Sequence, residues 1–464
     1  DRPLEVITSR QWFVKTLEFK DELLARGREL AWHPTFMGGR YASWVEGLNQ
    51  DWAVSRQRFF GVPFPVWYRL DEVGEPRYDD PIFADEAALP VDPSEDVPPG
   101  FAPEQRGEPG GFAGDPDVMD TWATSSLSPQ IAAGWEEDPD LFGRTFPMDL
   151  RPQAHEIIRT WLFYTVLRAH LEHGSLPWTN AAISGFVLDP DRKKMSKSKG
   201  NVVTPTEVFE RHSADAVRYW AASARLGFDA AFDEQQMKVG RRLAIKILNA
   251  SRFALSMEAP AGDATEPLDR SMLAALRGVV GQATEAFDAY EHARVLDLVE
   301  RFFWGFTDDY LELVKQRAYG VHGPEAAASA VGALRAALDV LLRLFAPFLP
   351  YVTEEVWSWW REGSVHRAAW PEAAELTAAD GADPEVYEVA AGVLSAVRKE
   401  KALAKVSLRI PVERATVRDT AARLAKLELA AADLREAGNV EALETAEADE
   451  PAVEVVLAAP AERA

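Results

Sequence analysis

Cysteine is absent from the 464 residues. Its absence excludes disulfide frameworks, cysteine zinc sites, iron–sulfur clusters and a cysteine nucleophile. Long apolar runs are lacking too: no stretch approaches the roughly 20 residues of a membrane span, and the amino terminus has no charged-then-apolar signal segment. We therefore expect a soluble, cytoplasmic protein with no membrane partner and no zinc site.

A basic excess, which is typical of nucleic-acid-binding proteins, is also lacking, because the formal net charge is −24. The acid is concentrated in residues 71–117, 372–388 and 433–464, which carry charges of −12, −6 and −7. The other 368 residues are therefore near +1. The net charge does not exclude a nucleic-acid partner. The first window also holds nine of the 30 prolines, which predicts an irregular surface insertion.

The basic residues form three clusters. They are Lys193, Lys194, Lys197 and Lys199; then Lys238, Arg241, Arg242, Lys246 and Arg252; then Arg398, Lys399, Lys401, Lys405 and Arg409. Each cluster taken alone is as typical of a solvated helix face as of a binding surface.

Periodicity predicts an α/β region, then an all-α bundle, then a small α+β tail. The corresponding domains are 1–236, 237–371 and 372–464, with the last beginning as an acidic linker. The predicted elements are helices at 14–31, 156–171 and 385–403, strands at 62–67, 183–188, 406–410 and 453–457, a helix that begins with a capping box at Thr204–Glu207, and a helical stripe from Val331 to Phe345 that is stopped by Pro347 and Pro350.

The strongest local signal is the run Lys-Lys-Met-Ser-Lys-Ser-Lys-Gly-Asn at 193–201. It lies between a predicted strand and a predicted helix. Lysine supplies a compact positive charge, and serine hydroxyls and backbone N–H groups donate to phosphate oxygens. Such a loop is suited to a polyphosphate, whose charge builds on the leaving group in the transition state.

The run Lys194-Met-Ser-Lys-Ser198 is identical to the second signature motif of the class I aminoacyl-tRNA synthetases. The segments 51–67 and 117–126, with Leu344–Pro350 and Glu354–Trp357, resemble the branched-chain subgroup in the expected order. Asp120-Thr-Trp followed by Ser125-Ser126, together with the absent cysteines, favours the valyl-tRNA synthetases within that subgroup. The resemblance implies the second half of a class I Rossmann-type catalytic domain, followed by an anticodon-binding bundle.

The resemblance also implies an activity: ATP activates valine to valyl-adenylate, and the valyl group is then transferred to tRNA(Val). It implies ATP as a bound nucleotide with magnesium as its counter-ion, and a full-length enzyme that is monomeric.

The resemblance assigns roles to individual residues. Lys194 and Lys197 would be catalytic. With Ser196, Ser198 and Gly185 they would bind ATP. Trp122 and Trp161, with Asp120, would wall the amino-acid pocket, although tryptophans of this kind are more often core residues.

The candidates for tRNA contact share positive charge, or an amide or aromatic side chain beside it. They are Lys246, Asn249, Arg252, Phe253, Arg398 and Lys401. Phe253 is equally compatible with the core. Charge reversal at Lys246 and Arg252 is expected to weaken tRNA binding and flatten its salt dependence.

Two further pairs are set aside. His170 and His173 are three residues apart but lack a third ligand at good spacing, so no metal site is predicted. Asp308-Asp309 is explained by a polar face beside a core face rather than by a paired-carboxylate site.

The first signature motif of the class, His-x-Gly-His, is missing among the eight histidines. We expect this chain to be a carboxy-terminal portion that lacks the first Rossmann half and the editing domain, and to be inactive alone. The alternatives are a non-catalytic tRNA-binding fragment or module and an isoleucyl- or leucyl-tRNA ligase. The sequence upstream of residue 1 would discriminate the first alternative, and amino-acid specificity would discriminate the second.

Overall fold

The computed structural model describes residues 8–458, apart from the side chain of Lys197, and comprises two compact units. The first runs as far as Phe186 and includes Leu226–Phe228. The second comprises Val187–Arg225 and the residues from Asp229 onward. Among the described helices, none combines the length and the apolar character needed to cross a bilayer.

The first unit is an α/β unit. Its strands are β1 (Phe13–Val14), β2 (Ala31–His33), β3 (Trp52–Ala53), β4 (Ser55–Arg56), β5 (Val66–Leu70), β6 (Pro76–Phe83), β7 (Phe112–Gly114), β8 (Val118–Met119), β9 (Met148–Ala154) and β10 (Trp178–Ser184). Its helices are α1 (Lys20–Glu29), α2 (Gly38–Glu46), α3 (Thr121–Ser125), α4 (Ser128–Ala132), α5 (Pro139–Thr145) and α6 (Phe163–His173).

A parallel sheet with strand order β2–β10–β9 forms the centre of this unit. The strands β9 and β10 are joined through α6, so the three elements make a β-α-β crossover. The predicted helix at 156–171 is confirmed in its main part: a π-helical turn at Ile158–Leu162 precedes α6, which ends at His173 and is followed by Gly174 with φ of 62°. The predicted strand at 183–188 is wrong in its bounds, since β10 begins at Trp178, where it pairs with β9.

The acidic insertion is more ordered than its composition predicts. Residues 66–114 contain an antiparallel sheet with order β6–β5–β7, in which Trp67 is buried. The strand expected at 62–67 begins only at Val66, because prolines 63 and 65 lack the N–H that a ladder requires. The predicted helix at 14–31 is shorter, as α1 with a 3₁₀ turn at Leu17–Phe19.

The second unit is a helical bundle with an α+β tail. Its helices are α7 (Pro205–His212), α8 (Ala214–Ala222), α9 (Glu234–Leu255), α10 (Pro267–Asp288), α11 (His292–Gly305), α12 (Leu311–Leu313), α13 (Lys315–Ala318), α14 (Pro324–Phe345), α15 (Pro350–Trp357), α16 (Glu385–Leu403), α17 (Ala421–Glu428) and α18 (Ala431–Gly438). Its strands are β11 (Val187–Leu188), β12 (Ala230–Ala231), β13 (Val412–Asp419), β14 (Val440–Glu447) and β15 (Ala452–Leu457).

The predicted apolar stripe lies on α14 and is buried in the bundle core. Pro350 does not stop this helix, which ends at Phe345; it begins α15 at the first helical position. The carboxylate of Asp215 accepts hydrogen bonds from the backbone N–H groups of Tyr351 and Val352, at 3.1 and 2.8 Å. It therefore satisfies two otherwise orphaned donors at the start of α15.

The tail is a three-stranded sheet with order β14–β13–β15 packed on α16 to α18. The predicted helix at 385–403 and the strand at 453–457 are confirmed as α16 and part of β15. The strand expected at 406–410 is wrong: those residues form turns and β13 begins at Val412. The alternation at 406–410 was misleading because the segment folds back to bring the Leu408 carbonyl to Lys401.

The acidic segment 372–388 is packed against the bundle rather than loose. Glu375 pairs with Arg343 at 2.6 Å, and Asp380 pairs with Arg277 at 2.7 Å. Leu376 is buried in the bundle core. The acid that dominates the net charge here is therefore partly neutralised within the fold.

Candidate functional site

The lysine-rich loop is held at both ends. It follows β11, which pairs in parallel with β12, and a short bridge joins Leu188 to Lys194. The backbone N–H of Asp189 donates to the Lys193 carbonyl at 2.9 Å. The loop therefore leaves the strand through a closed turn.

The side chain of Asp189 is the main anchor. Its Oδ1 accepts from the backbone N–H of Lys193, and its Oδ2 accepts from Nδ2 of Asn201, both at 2.7 Å. Led by the Lys193 N–H, these donors hold the pKa of the Asp189 carboxyl below its usual range. Sequence reasoning missed this anchor, although an acid at the end of the strand and an amide at the end of the loop were its signal.

The centre of the loop is short and exposed. The backbone N–H of Ser196 donates to Oδ1 of Asn201 at 2.9 Å, and the hydroxyls of Ser196 and Ser198 are 3.3 Å apart. Lys194 and Ser198 are exposed, and Lys197 begins a 3₁₀ turn at Lys197–Lys199. The predicted role of the Lys197 side chain lies outside the described atoms. The arrangement presents lysine charge and two hydroxyls on a braced backbone.

The structure leaves the predicted role of Gly185 untested and contradicts the predicted capping box at Thr204. Gly185 follows the end of β10 and is half-buried, and its predicted role at ATP stays a prediction. The capping box at Thr204 is not formed, because α7 has no side-chain cap at Thr204. The helix instead begins with Pro205 at its first position, whose ring presets the backbone angle for a helix.

In the first unit, Asp120 begins the helix that carries Trp122. The Asp120 carboxylate is buried and its Oδ1 accepts from the Trp122 N–H at 3.5 Å. Its Oδ2 accepts from Nε1 of Trp52 at 3.2 Å and from Nη2 of Arg56 at 2.9 Å. The sequence motif contained Asp120 but gave no indication of these two donors.

The two predicted pocket tryptophans are connected through α3. Trp161 lies in the π-helical turn, where its Nε1 donates to the Ser125 carbonyl at the end of α3, at 2.7 Å. Its ring stacks on Trp178, and the Arg151 guanidinium lies 3.4 Å from the ring centroid. Trp161 is 7% exposed, whereas Trp122 is half-buried. Trp161 is therefore a rigid buried wall and Trp122 is the more accessible ring.

An open cavity of ≈440 Å³ lies beside α3. Its lining includes Asp120 and Trp122, together with Arg56, Arg58 and Phe60. Cationic and aromatic groups thus surround the exposed side of the predicted pocket residues. This volume is in the range of small-ligand sites.

The tRNA candidates of the second unit are brought together by two aspartates. Nζ of Lys246 lies 2.7 Å from Oδ1 of Asp308, and Nη1 of Arg398 lies 3.1 Å from Oδ1 of Asp309. Both aspartates belong to a π-helical turn at Phe306–Tyr310. They are ion-pair partners rather than a paired-carboxylate site, as their position beside a core face indicated.

The remaining candidates differ in accessibility. Asn249 and Arg252 are exposed, and the Arg252 guanidinium lies over the Trp359 ring at 5.6 Å. Phe253 is half-buried, with its ring against Tyr319, which is 60% exposed. The structure therefore gives Phe253 a partial role in the core.

The structure contradicts the predicted tRNA contact of Lys401. It is 1% exposed, and its Nζ donates to the carbonyls of Leu408 and Gly438 at 2.9 and 2.8 Å. Burial lowers the pKa of its ammonium group. A lysine bound in this way is not available to an RNA phosphate, and we remove it from the predicted tRNA surface.

An exposed basic stripe lies on α9. Lys238, Arg241, Arg242 and Arg252 are exposed at spacings that share a side of the helix. Within residues 8–458, no carboxylate forms an ion pair with Lys238, Arg241 or Arg242. These three residues, rather than Lys246, carry the uncompensated charge of this helix.

No group of three potential metal ligands occurs in the described part of the chain. The histidine pair has other contacts: His170 accepts from Nε of Arg26 at 3.3 Å, and the His173 ring packs against Trp135, Phe142 and Phe146.

Two family models match this chain. Residues 5–233 match the model described as tRNA synthetases class I (I, L, M and V), and residues 269–416 match the anticodon-binding domain of tRNA ligase. A valine–tRNA ligase of Thermobifida fusca is 61% identical across 100% of this chain. The chain belongs to the class I aminoacyl-tRNA synthetases.

Other relatives agree with this family. A valine–tRNA ligase of Salinispora tropica is 58% identical over 97% of this chain. The resemblance to the valyl-tRNA synthetases is thus confirmed. The chain spans about half the length of these relatives, 54% and 55% respectively.

Solved structures of class I synthetases share the fold. The leucyl enzyme of Agrobacterium radiobacter K84, in a ternary complex with tRNA and LeuAMS, is 24% identical with a TM-score of 0.55, over 70% of this chain and 42% of that one. The methionyl-tRNA synthetase of Mycobacterium tuberculosis with methionyl-adenylate is 20% identical with a TM-score of 0.54, over 75% and 62%. The predicted fold class is confirmed.

Proposed function

We propose that the protein to which this chain contributes joins valine to tRNA(Val): ATP and valine give valyl-adenylate and pyrophosphate, and the valyl group then passes to the tRNA. The 61% identity to a valine–tRNA ligase across the whole chain carries the proposal. The motif at Lys194–Ser198 and the two tryptophans linked through α3 support it.

In this proposal the lysine-rich loop acts on the ATP phosphates. Lys194 and Lys197, with the hydroxyls of Ser196 and Ser198, stabilise the charge that builds on the leaving pyrophosphate. Gly185 lets the backbone approach the nucleotide closely. Magnesium would accompany ATP as its counter-ion, held by phosphate oxygens.

The amino-acid pocket is proposed to use Trp122 and Trp161 as rigid walls, with Asp120 fixing the helix between them. Such a slot excludes a longer side chain, although one methylene is worth only about 1–3 kcal/mol. A hydroxyl-bearing isostere such as threonine is poorly rejected by a hydrophobic slot.

The proposed tRNA surface of this chain includes Asn249, Arg252 and Phe253, with the exposed stripe on α9. The log of the tRNA affinity falls linearly with the log of the salt concentration. Neutralising Arg241 and Arg242 should make this line less steep, by about 0.9 for each lost phosphate contact. Filter binding of the full-length protein to tRNA(Val) at several salt concentrations measures this slope.

The decisive test is ATP–pyrophosphate exchange by the full-length protein with valine, isoleucine, leucine and threonine. We expect valine to give the highest kcat/KM and isoleucine to be the weaker substrate. Preference for isoleucine or leucine would contradict the assignment to valine. Tight tRNA binding without exchange for any amino acid would instead indicate a non-catalytic tRNA-binding protein.

A further inference from the structure

The Asp120 carboxylate is held by more groups than a helix cap requires. It lies 7% exposed at the start of α3, and one backbone N–H is enough to cap a helix. Its Oδ2 nevertheless accepts two side-chain hydrogen bonds, from Nε1 of Trp52 and from Nη2 of Arg56. The guanidinium supplies the positive charge that offsets this buried carboxylate.

Arg56 is itself fixed by the backbone that immediately precedes it, in β3 and β4. Its Nη1 donates to the carbonyls of Ala53 and Ser55, both at 2.7 Å. The strand β4 pairs antiparallel with β8, and the Asp120 N–H donates to the Val54 carbonyl at 2.6 Å. The guanidinium therefore stands at a set position relative to the residue it pairs with.

Asp120 passes this constraint to both tryptophans. Its Oδ1 faces the N–H of Trp122, and the far end of the same short helix receives Nε1 of Trp161 at the Ser125 carbonyl. The second donor to Asp120, Trp52, stacks on Tyr164 with ring centroids 3.9 Å apart, and so joins α6 to the same cluster. A shift of Asp120 would move one wall directly and loosen the attachment of the other.

We propose that Arg56 is a positioning residue for the amino-acid pocket, acting through Asp120 and α3 on Trp122 and Trp161. This role rests on the proposed function, because the pocket is that of the valine-activating reaction. Arg56 sets the separation and orientation of the two walls, so its loss affects the fit of the amino acid before it affects the chemistry of ATP. Misplacement of a binding wall by about 1 Å can cost up to about a hundredfold in the affected step.

The test compares Arg56→Gln and Arg56→Lys in the full-length protein by valine-dependent ATP–pyrophosphate exchange. Arg56→Gln should raise the KM for valine about tenfold or more, with a much smaller change in kcat and in the KM for ATP. Arg56→Lys keeps the charge but not the forked donors, so it should recover part of the loss. In a double-variant cycle, the losses from Arg56→Gln and Asp120→Asn should be less than additive, because both variants remove the Arg56–Asp120 ion pair.

The matched control is Arg69→Gln. Arg69 lies in β5 of the same unit and pairs with Asp80 at 3.3 Å, but both side chains are about half exposed. This variant should leave the KM for valine unchanged.

A wild-type KM for valine in Arg56→Gln would overturn the positioning role alone and leave the proposed function intact. The positioning role would also be overturned if Arg56→Gln lowered kcat and raised the KM for valine and the KM for ATP by equal factors, together with a lowered melting temperature. Such a result would indicate general destabilisation. Absence of valine-dependent exchange in the wild-type protein would overturn the proposed function, and this role with it.

Discussion

Asp189 and Asn201 close the lysine-rich loop: Nδ2 of Asn201 donates to Oδ2 of Asp189 at 2.7 Å across twelve residues of chain. The same asparagine accepts from the Ser196 N–H through its Oδ1. One amide thus ties the middle of the loop to its start. The loop is short, lysine-rich and exposed, and this pair limits how far its backbone can spread.

Replacing Asn201 by alanine should lower kcat for valine-dependent pyrophosphate exchange about tenfold, with little change in the KM for valine. In the proposed function the loop acts on charge that develops in the transition state, so loosening it is expected to affect mainly the chemical step. Asn49→Ala is the control, since Asn49 is exposed and no side-chain hydrogen bond is found for it in the described part of the chain. An unchanged kcat in the Asn201 variant would mean that the loop needs no anchor.

The closure by Asp189 should persist to low pH. The pKa of its carboxyl is held below the usual value by the Lys193 N–H and Asn201, so the group stays ionised in the fold below the pKa near 3.9 that it has when unfolded. Its contribution to stability is present above that value and is lost as the pH falls through the lower folded pKa. Hydrogen exchange of the segment 189–201, corrected for intrinsic rates, should show protection that stays constant from pH 7 down to about pH 3.9, the unfolded pKa. Loss of protection with a midpoint at or above about pH 3.9 would contradict the lowered pKa.

Lys401 should matter for stability and not for RNA. Lys401→Met leaves the carbonyls of Leu408 and Gly438 without their donor, which should cost about 2 kcal/mol of unfolding free energy in urea. Lys399→Met, on the exposed side of the same helix, is the control and should change stability little. Weaker tRNA binding by Lys401→Met at unchanged stability would return this lysine to the RNA surface.

Asp308 should restrain tRNA binding. Asp308→Asn releases Lys246 from its 2.7 Å ion pair, so the tRNA affinity should rise. The dependence of log affinity on log salt should become steeper by the amount expected for about one additional phosphate contact. Asp263→Asn makes the same charge change at an exposed position outside this cluster. Equal gains in the two variants would assign the effect to net charge alone and not to the release of Lys246.

Much of the fold could be predicted from sequence where one residue pattern dominates. The long stripe of α14 and the helix α16 were predicted closely, because a helical period over many residues has one way to be buried. Predictions failed where local pattern and long-range pairing compete. The residues 406–410 alternate like a strand but form a turn, and the proline-rich insertion contains a sheet. A local pattern does not show whether a segment finds a strand partner elsewhere in the chain.

The candidate site also contains features that could be predicted from sequence and features that could not. The family could be predicted from the lysine motif and the Asp120–Ser126 segment, because these residues are adjacent in the chain and carry their chemistry as a short pattern. Which charged side chains are available to a ligand depends on the folded arrangement of the chain. Asp308 forms an ion pair with Lys246, and Asp309 forms one with Arg398. The buried Lys401 donates to two backbone carbonyls, and Arg56 forms an ion pair with Asp120. Ion pairs between residues far apart in sequence depend on how the elements pack, and a charge is free for a ligand only after that packing has chosen its partners.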